Sequence, residues 1–116
     1  MKLIKNATGT NVDLYVKSGR SNTFTVTVTG VEDWTGIEAV LYYALEEGGD
    51  AADVLEVTCT IDALTDIITI AFLPEHTQEL TGDYYHELII YDSANYLKDV
   101  IWGKLHIGDV VAYEII

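Results

Sequence analysis

The sequence predicts an all-β domain, an antiparallel sandwich of seven to eight strands. In most segments apolar and polar residues alternate with a period of two, which is the pattern of half-buried strands. Polar turns separate these segments at intervals of about ten residues, as in β-sandwiches. With 116 residues, 49% of them hydrophobic, the chain is long enough to form one core.

The predicted strands follow one another along the whole chain. In order they are 12–17, 23–29, 37–47, 54–61, 66–73, 83–91 and 95–107, with a final apolar segment at 110–116. The clearest is TFTVTVT, in which Phe24, Val26 and Val28 would face the core. The threonines between them are β-branched and suit an exposed strand face. The preceding strand, VDLYVK, alternates in the same way.

The middle of the chain predicts a long strand followed by a hairpin. IEAVLYYALEE is apolar on both of its faces. The next strand, VLEVTCTI, alternates more regularly, and its predicted core residues are Leu55, Val57, Cys59 and Ile61. The short connection DALT is suited to a hairpin between this strand and DIITIAFL.

The segment PEHTQEL (74–80) predicts a single helical turn that begins at Pro74, with Leu80 closing the end of the sandwich. It leads into LTGDYYHELIIYD, where Gly82 relaxes the backbone just before Tyr84. In immunoglobulin-like sandwiches a tyrosine at this place bonds through its hydroxyl to the backbone upstream. We therefore predict an immunoglobulin-like antiparallel sandwich in which Tyr84 is structural. The residues predicted to face inward here are Tyr84, His86, Leu88 and Ile90.

The predicted organisation is an N-terminal extension (1–11), the sandwich (12–107) and an apolar strand or tail (108–116). The first residues, MKLIKNATGT, lack the apolar core of a signal peptide, and no apolar run reaches transmembrane length. A single cysteine excludes an internal disulfide framework. We expect the chain to be made and folded in a cytoplasm.

The charge is strongly negative, with a formal net charge of −13 and a pI near 4.2. Between Ser21 and Leu97 there is no lysine or arginine. Such a surface repels phosphate backbones and anionic lipids, so neither nucleic acid nor a membrane is the expected partner. It favours solubility, cation binding or docking against a basic partner.

No catalytic motif is present, and we predict no enzymatic activity and no cofactor. The histidines His76, His86 and His106 are scattered singly, without the spacing of a zinc site. Cys59 lies on an inward-facing period, which predicts a buried, inert thiol. Paired carboxylates occur in loops, but no aromatic-rich cleft of the kind that glycosidases need can be identified beside them.

The loop EEGGDAAD (46–53) is a candidate calcium site. Its candidate ligands are Glu46, Glu47, Asp50 and Asp53. Their spacing does not match the EF-hand loop. The alternative is a solvated acidic loop.

Aromatic and apolar side chains on the outward strand faces predict an interface or a sugar-binding platform. The outward face of 37–45 would carry Val40, Tyr42 and Ala44, and that of 84–91 would carry Glu87 with two tyrosines and an isoleucine. The interface candidates are Tyr42, Tyr85, Ile89, Tyr91, Trp102, Val111, Tyr113 and Ile115. Trp34 could add to this surface. The alternative is that the chain's own termini cover these faces.

The order of motifs resembles the immunoglobulin-like domains of tailed-phage virion proteins, most closely the N-terminal domain of baseplate upper proteins. The motifs are VDLYVKSGRSNTFTVTVTG, DWTGIEAVLYYAL, AFLPEHTQELTGDYYHELIIYDSAN and WGKLHI. The matching positions are Gly19, Phe24, Thr35, Gly36, Pro74, Thr77, Leu80, Gly82, Tyr84, Asp92, Gly103, Leu105 and Ile107. The resemblance implies a non-enzymatic, oligomeric building block of a virion. That baseplate protein continues into further domains, whereas this chain ends soon after the sandwich and adds an apolar tail.

The leading hypothesis is therefore a structural subunit of a phage tail, baseplate or capsid surface, located in the virion. It would dock onto other virion proteins or copies of itself. The first alternative is a carbohydrate- or cell-surface-binding module, with calcium as an optional aid. The second is an accessory domain of a larger secreted bacterial protein.

Overall fold

The structure is a computed structural model that describes residues 9–45, 53–92 and 95–108, side chains at 95–97 excepted. The strands and helix are β1 Thr10–Asn11, β2 Leu14–Lys17, β3 Asn22–Thr27, β4 Ile37–Ala44, β5 Leu55–Asp62, β6 Ile67–Phe72, α1 Pro74–Thr77, β7 Gly82–Asp92 and β8 Asn95–Gly108.

The strands form two layers that are joined along one side. In the first layer the strand order is β5, β4, β7 and β8. β1 and β2 both pair with the other side of β8. The second layer contains β6, with β3 beyond it. Because β5 pairs with β4 through Leu55–Cys59 and with β6 through Thr60–Asp62, it belongs to both layers. The sandwich is therefore closed on the β5 side.

This strand pairing is immunoglobulin-like, with β3 against β6 in one layer and β4, β7 and β8 side by side in the other. The predicted all-β, immunoglobulin-like sandwich is thus confirmed. One detail differs from the antiparallel prediction. β1 and β2 run parallel to β8, with Thr10 opposite Ile101 and Leu14 opposite Leu105. A parallel pair is possible here because nearly the whole domain forms the connection between the two strands.

The N-terminal boundary predicted for the sandwich, residue 12, comes after the first paired strand has already begun. Thr10 and Asn11, assigned to an extension, already pair with β8. The core otherwise follows the predicted alternation. Among the residues predicted to face inward, those buried are Leu14, Val16, Val28, Val57, Cys59, Tyr84, His86, Leu88 and Ile90. The prediction that Leu55 faces the core is wrong, since this residue is 41% exposed. It is the first residue of β5, paired with Tyr43 near the end of β4.

The single helical turn α1 is bonded to the turn between β2 and β3. As predicted, Pro74 occupies the start of α1 and Leu80 packs against the core. The Ser18 hydroxyl donates to the Thr77 carbonyl at 2.9 Å, and the Gly19 N–H donates to the Thr77 hydroxyl at 2.9 Å. Thr77 is completely buried, so the turn after β2 is held firmly against the crossover.

The tyrosine hydroxyl that binds the crossover belongs to β4, not to β7. Tyr43 donates to the carbonyl of His76 at 2.5 Å. Tyr84 is buried as predicted, but its contribution is a ring packed edge-on against Tyr43, at 6.3 Å between centroids. Burial, with Tyr84 adding to it, raises the pKa of Tyr43 to about 12, so its hydroxyl remains a donor.

Replacing Tyr43 with phenylalanine tests this bond. Removing the hydroxyl leaves the His76 carbonyl without its donor, and we expect Tyr43→Phe to lower the free energy of unfolding by about 1 to 2 kcal/mol. Urea denaturation measures the change. Tyr15→Phe, which alters an exposed tyrosine, should stay within about 0.5 kcal/mol of the unmodified chain. Equal effects of the two variants would contradict the assignment.

Candidate functional site

The predicted aromatic face of β4, β7 and β8 is largely covered. Tyr42, Tyr85, Tyr91 and Trp102 are half-buried. Of the two alternatives left by the sequence, an open face and a covered one, the covered one applies to the four buried residues Val40, Ala44, Glu87 and Ile89. Val111, Tyr113 and Ile115 lie outside the described residues.

Cross-strand neighbours account for part of this burial. Glu87 lies opposite Tyr42 on one side and Trp102 on the other, and Val40 lies opposite Ile89. Directly opposed side chains project from the same face of a sheet, so two large rings flank the Glu87 side chain. Ile89, one of the predicted interface candidates, is only 4% exposed and cannot act as an interface anchor in this conformation.

The two tryptophans have structural contacts. The Trp34 indole N–H donates to the Asp66 carboxylate at 2.7 Å, and its ring packs against the core. The Trp102 indole N–H donates to the Gly9 carbonyl at 3.3 Å. Trp34 therefore helps to hold the hairpin of β5 and β6 rather than extending an exposed platform.

His86 is a buried structural histidine, as predicted. Its Nε2–H donates to the carbonyl of Val12 at 2.7 Å. The residue opposite His86 on β8 is Gly103, whose lack of a side chain leaves room for this contact between β7 and the segment that joins β1 to β2. Burial lowers the pKa of His86, although the Val12 carbonyl and Asp13 act in the opposite direction.

The lowered pKa of His86 predicts acid destabilisation. The unfolded histidine has an ordinary pKa of about 6.5, so below that pH the unfolded chain binds more protons than the folded one. Stability from the neutral ring is present above about pH 6.5 and is lost as pH falls through the lowered folded pKa. The stability advantage of the unmodified chain over His86→Gln should therefore shrink from pH 7.5 to 5. Urea denaturation at several pH values measures it, and a constant difference would contradict this assignment.

Cys59 is buried, and burial raises the pKa of its thiol to about 12. The sulfur is therefore protonated at neutral pH, which agrees with the predicted inert thiol. In the candidate calcium loop, Asp53 is exposed, while Glu46, Glu47 and Asp50 lie outside the described residues. Within the described ranges, no group of three or more His, Cys, Asp or Glu residues is arranged to hold a metal ion.

A polar patch that the sequence did not predict forms where β2, β7 and β8 meet. It consists of Asp13, Tyr15, Asp83 and His106, and is called the Tyr15 patch below. The rings of Tyr15 and His106 stack at 4.5 Å. The His106 Nδ1 lies 2.6 Å from the Asp83 carboxylate, and its Nε2 lies 3.7 Å from that of Asp13. A hydrogen bond from the backbone N–H of Lys104 lowers the pKa of Asp13, and His106 lowers it further.

The patch offers an aromatic face next to two carboxylates. Tyr15 is 68% exposed, the largest exposed aromatic surface among the described residues. Sequence reasoning missed it because the parallel pairing of β2 with β8, which places Tyr15 opposite His106, was not foreseen.

The second notable surface is the free edge of β3. Within the described residues β3 pairs only with β6. The backbone N–H of Val28 donates to the backbone carbonyl of Asp66 at 2.8 Å. The even-numbered residues of this segment therefore direct their backbone N–H and carbonyl groups towards β6. The odd-numbered residues direct theirs to the open side. We call Thr23, Thr25 and Thr27 the β3 edge.

An apolar groove of about 600 Å³ runs beside the β3 edge, between β3 and the strands β1 and β2. Its apolar lining residues are Val12, Leu14, Phe24, Val26, Val100 and Ile101. We call it the side groove. It lies on the side of the sandwich opposite β5. No charged residue occurs from Ser21 to Val31, although charged residues make up 22% of the chain. The edge therefore lacks the charges and prolines that normally protect free strands from pairing.

Within the part of the chain that the structure describes, no helix has the length and apolar character needed to cross a bilayer. No protein-family model matches the sequence, and no curated protein matches it either. One similar solved structure is that of the extracellular domains of the voltage-gated sodium channel beta4 subunit. It is 14% identical with a TM-score of 0.41, over 91% of this chain and 98% of that one. Those domains form parallel homodimers, which explain the role of that subunit in cell–cell adhesion. At this TM-score the likeness carries no argument about the present chain.

Proposed function

We propose that this chain is a non-enzymatic structural subunit of a phage particle, at a tail, baseplate or capsid surface, that works by protein–protein docking. The observation that carries the docking part is the β3 edge, a strand without charged residues that pairs only with β6 among the described residues, next to a groove lined mainly by apolar side chains together with Asp13. The phage part is supported by the motif order, which resembles virion immunoglobulin-like domains.

The chemistry of the edge suits an added strand. A strand placed beside β3 would bond to the backbone groups of Thr23, Thr25 and Thr27, and every second side chain would enter the side groove. The rest of the surface opposes close contact with other acidic proteins, because the chain has a net charge of −13. The uncharged β3 edge avoids this repulsion and is therefore suited to docking.

Analysis of the protein composition of purified phage particles, from a phage whose genome encodes the chain, tests this proposal. We expect the chain in stoichiometric amount, with amine cross-links from Lys98 to another virion protein. Lys98 lies just beyond the C-terminal end of β3, where its ammonium donates to the Thr29 carbonyl at 3.0 Å. The matched control is Lys98→Arg, which keeps the charge and loses the reactive amine. Absence of the chain from gradient-purified particles would refute the proposal.

A second candidate function is recognition of a cell-surface glycan at the Tyr15 patch. Sugar rings stack on exposed aromatic faces, and the carboxylates of Asp13 and Asp83 can accept bonds from hydroxyl groups. Calorimetric titration with cell-wall polysaccharide tests it. Binding that is lost in Tyr15→Ala but kept in Tyr85→Ala would support this role. No binding at about 1 mM saccharide, the weak end of specific recognition, would exclude it.

A further inference from the structure

We infer that the Tyr15 patch binds an uncharged pyranose with equatorial hydroxyl groups, on the face of the Tyr15 ring that points away from His106. Asp13 and Lys17 would contact the sugar at its edges. His106 and Asp83 would hold the Tyr15 ring in place from behind. This inference rests on the second candidate function and deepens it by naming the class of sugar and the part that each residue takes.

One face of the Tyr15 ring is open. The other face stacks on His106, with 4.5 Å between centroids and 16° between the ring planes. The two residues lie opposite each other on β2 and β8, and their ring separation is close to the spacing of about 4.8 Å between neighbouring strands. The rings therefore stand side by side across the strands, and the open face of Tyr15 points away from β8. Because Tyr15 is 68% exposed, this face is accessible to a ligand.

The Tyr15 ring is held by a row of contacts behind it. Asp83, His106 and Tyr15 lie opposite one another on β7, β8 and β2, so their side chains share one face of the sheet. The Asp83 carboxylate lies 2.6 Å from the His106 Nδ1 and fixes the imidazole against Tyr15. A ring that is already fixed loses little freedom when a ligand stacks on it. Since both rings separate Asp83 from the open face, Asp83 acts on the ligand only through them.

A carboxylate and an ammonium group lie beside the open face. Lys17 follows Tyr15 by two residues in β2 and shares its face. Asp13 reaches the same face, since its Oδ2 lies 3.7 Å from the His106 Nε2. The other Asp13 oxygen accepts the Lys104 N–H at 3.0 Å, yet the side chain is 43% exposed. The two charged groups thus offer an acceptor and a donor for hydroxyl groups on either side of the ring.

The balance of charge at this place favours an uncharged ligand. An ammonium group on the ligand would meet Lys17, and the exposed Lys104 lies on the same face, two residues before His106. A carboxylate or phosphate would meet Asp13 and a chain with a net charge of −13. The face of an aromatic ring is apolar and packs against C–H groups. A pyranose presents most C–H surface to such a ring when its hydroxyl groups are equatorial.

NMR titration with three methyl glycosides of one configuration tests the class of sugar. The probes are methyl β-glucoside, the matching glucosaminide with an ammonium group, and the matching glucuronide with a carboxylate. We expect the glucoside to shift the Tyr15 ring resonances with a Kd of about 1 mM, and each charged probe to bind at least about fivefold more weakly. A glucoside that causes no shift up to about 50 mM, or a charged probe that binds as tightly, would overturn the inference.

Two pairs of variants test the part that each residue takes. Asp13→Asn keeps an acceptor for the Lys104 N–H but loses the charge, and it should weaken glucoside binding about tenfold. Asp83→Asn should weaken it less than about threefold, because Asp83 lies behind both rings. His106→Ala should weaken it about fivefold, whereas His106→Phe restores a ring behind Tyr15 and should bind like the unmodified chain. Equal effects of the two aspartate variants, or of the two His106 variants, would contradict these assignments.

Circular dichroism and thermal melting verify that each variant is folded. If His106→Ala does not fold, Tyr15→Ala and Tyr15→Phe replace the His106 pair. Phenylalanine keeps the ring and should keep binding, whereas alanine should abolish it. Loss of binding in both would show that stacking is not the basis of recognition.

The inference and the second candidate function fail separately. Cell-wall polysaccharide that binds through Tyr15, with no binding of the glucoside, would leave glycan recognition standing and remove the named class of sugar. Absence of both kinds of binding would remove glycan recognition at this patch as well. The virion role is tested independently, by the Lys98 cross-links in purified particles.

Discussion

Gly103→Ala should lower the free energy of unfolding by about 2 to 4 kcal/mol and loosen β1 and β2 from β8. A Cβ at this position would lie 2.5 Å from the Val12 carbonyl oxygen and 2.9 Å from the Asn11 side-chain oxygen. Side-chain carbons do not approach oxygen so closely, and the Val12 atom belongs to the backbone. The strand must therefore move.

Two hydrogen bonds depend on the position that would be disturbed. The Val12 N–H donates to the Trp102 carbonyl at 2.8 Å, and the Val12 carbonyl accepts the His86 imidazole. Displacing Val12 leaves the buried His86 nitrogen without its acceptor, which is the larger part of the expected loss. Urea denaturation gives the size of the loss, and amide exchange at Leu14 and Val16 shows whether the pairing with β8 has opened.

Gly19→Ala is the matched control. Gly19 has φ +68°, a left-handed conformation, but nothing lies within 4 Å of a Cβ built there. It isolates the backbone penalty of about 1 to 2 kcal/mol for a left-handed alanine. A Gly103→Ala effect no larger than this control, with unchanged amide exchange, would show that the close approach of Val12 is unimportant.

Phe72→Ala should be the most destabilising core substitution, at about 3 to 5 kcal/mol. Phe72 is 1% exposed, and its ring makes edge contacts with Phe24 at 6.2 Å and Tyr43 at 6.0 Å between centroids. It thereby joins β3, β4 and β6 across the two layers. Alanine removes these contacts and leaves a cavity that three fixed strands cannot fill.

Thermal or urea unfolding measures this effect. Leu64→Ala serves as the control, because Leu64 is 96% exposed in the turn after β5 and should change stability by less than about 0.5 kcal/mol. A loss below about 1.5 kcal/mol for Phe72→Ala would mean that the core collapses around the cavity and that the ring contacts are replaceable.

The strands and their buried faces could be predicted from the sequence because a period of two fixes which side chains share a face. Val57 and Cys59 illustrate this, as does the run from Tyr84 to Ile90. The prediction for Leu55 failed because periodicity identifies a face of a strand but not how far along the strand the core extends. The structural tyrosine pair was recognised only in part, since two tyrosines lie near the crossover and only packing decides which hydroxyl reaches it.

The candidate surfaces were less predictable, because they depend on which strands become neighbours. The Tyr15 patch joins residues 13 and 106, and periodicity carries no information about a pairing so distant in sequence. The sequence left open whether the outward face of β7 is exposed or covered, because alternation identifies a face without showing what covers it. The β3 edge could not be identified before β3 was known to pair only with β6 among the described strands.

The parallel pairing of β2 with β8 has a mechanical consequence. β1 and β2 open the described fold and β8 ends it, with Thr10 opposite Ile101 at one end and Lys17 opposite Gly108 at the other. A pull that separates residue 10 from residue 108 slides these strands along each other, so the ladder bonds carry the load together instead of breaking one after another. The domain is therefore built to transmit tension along its strands, and it should resist stretching most strongly in that direction.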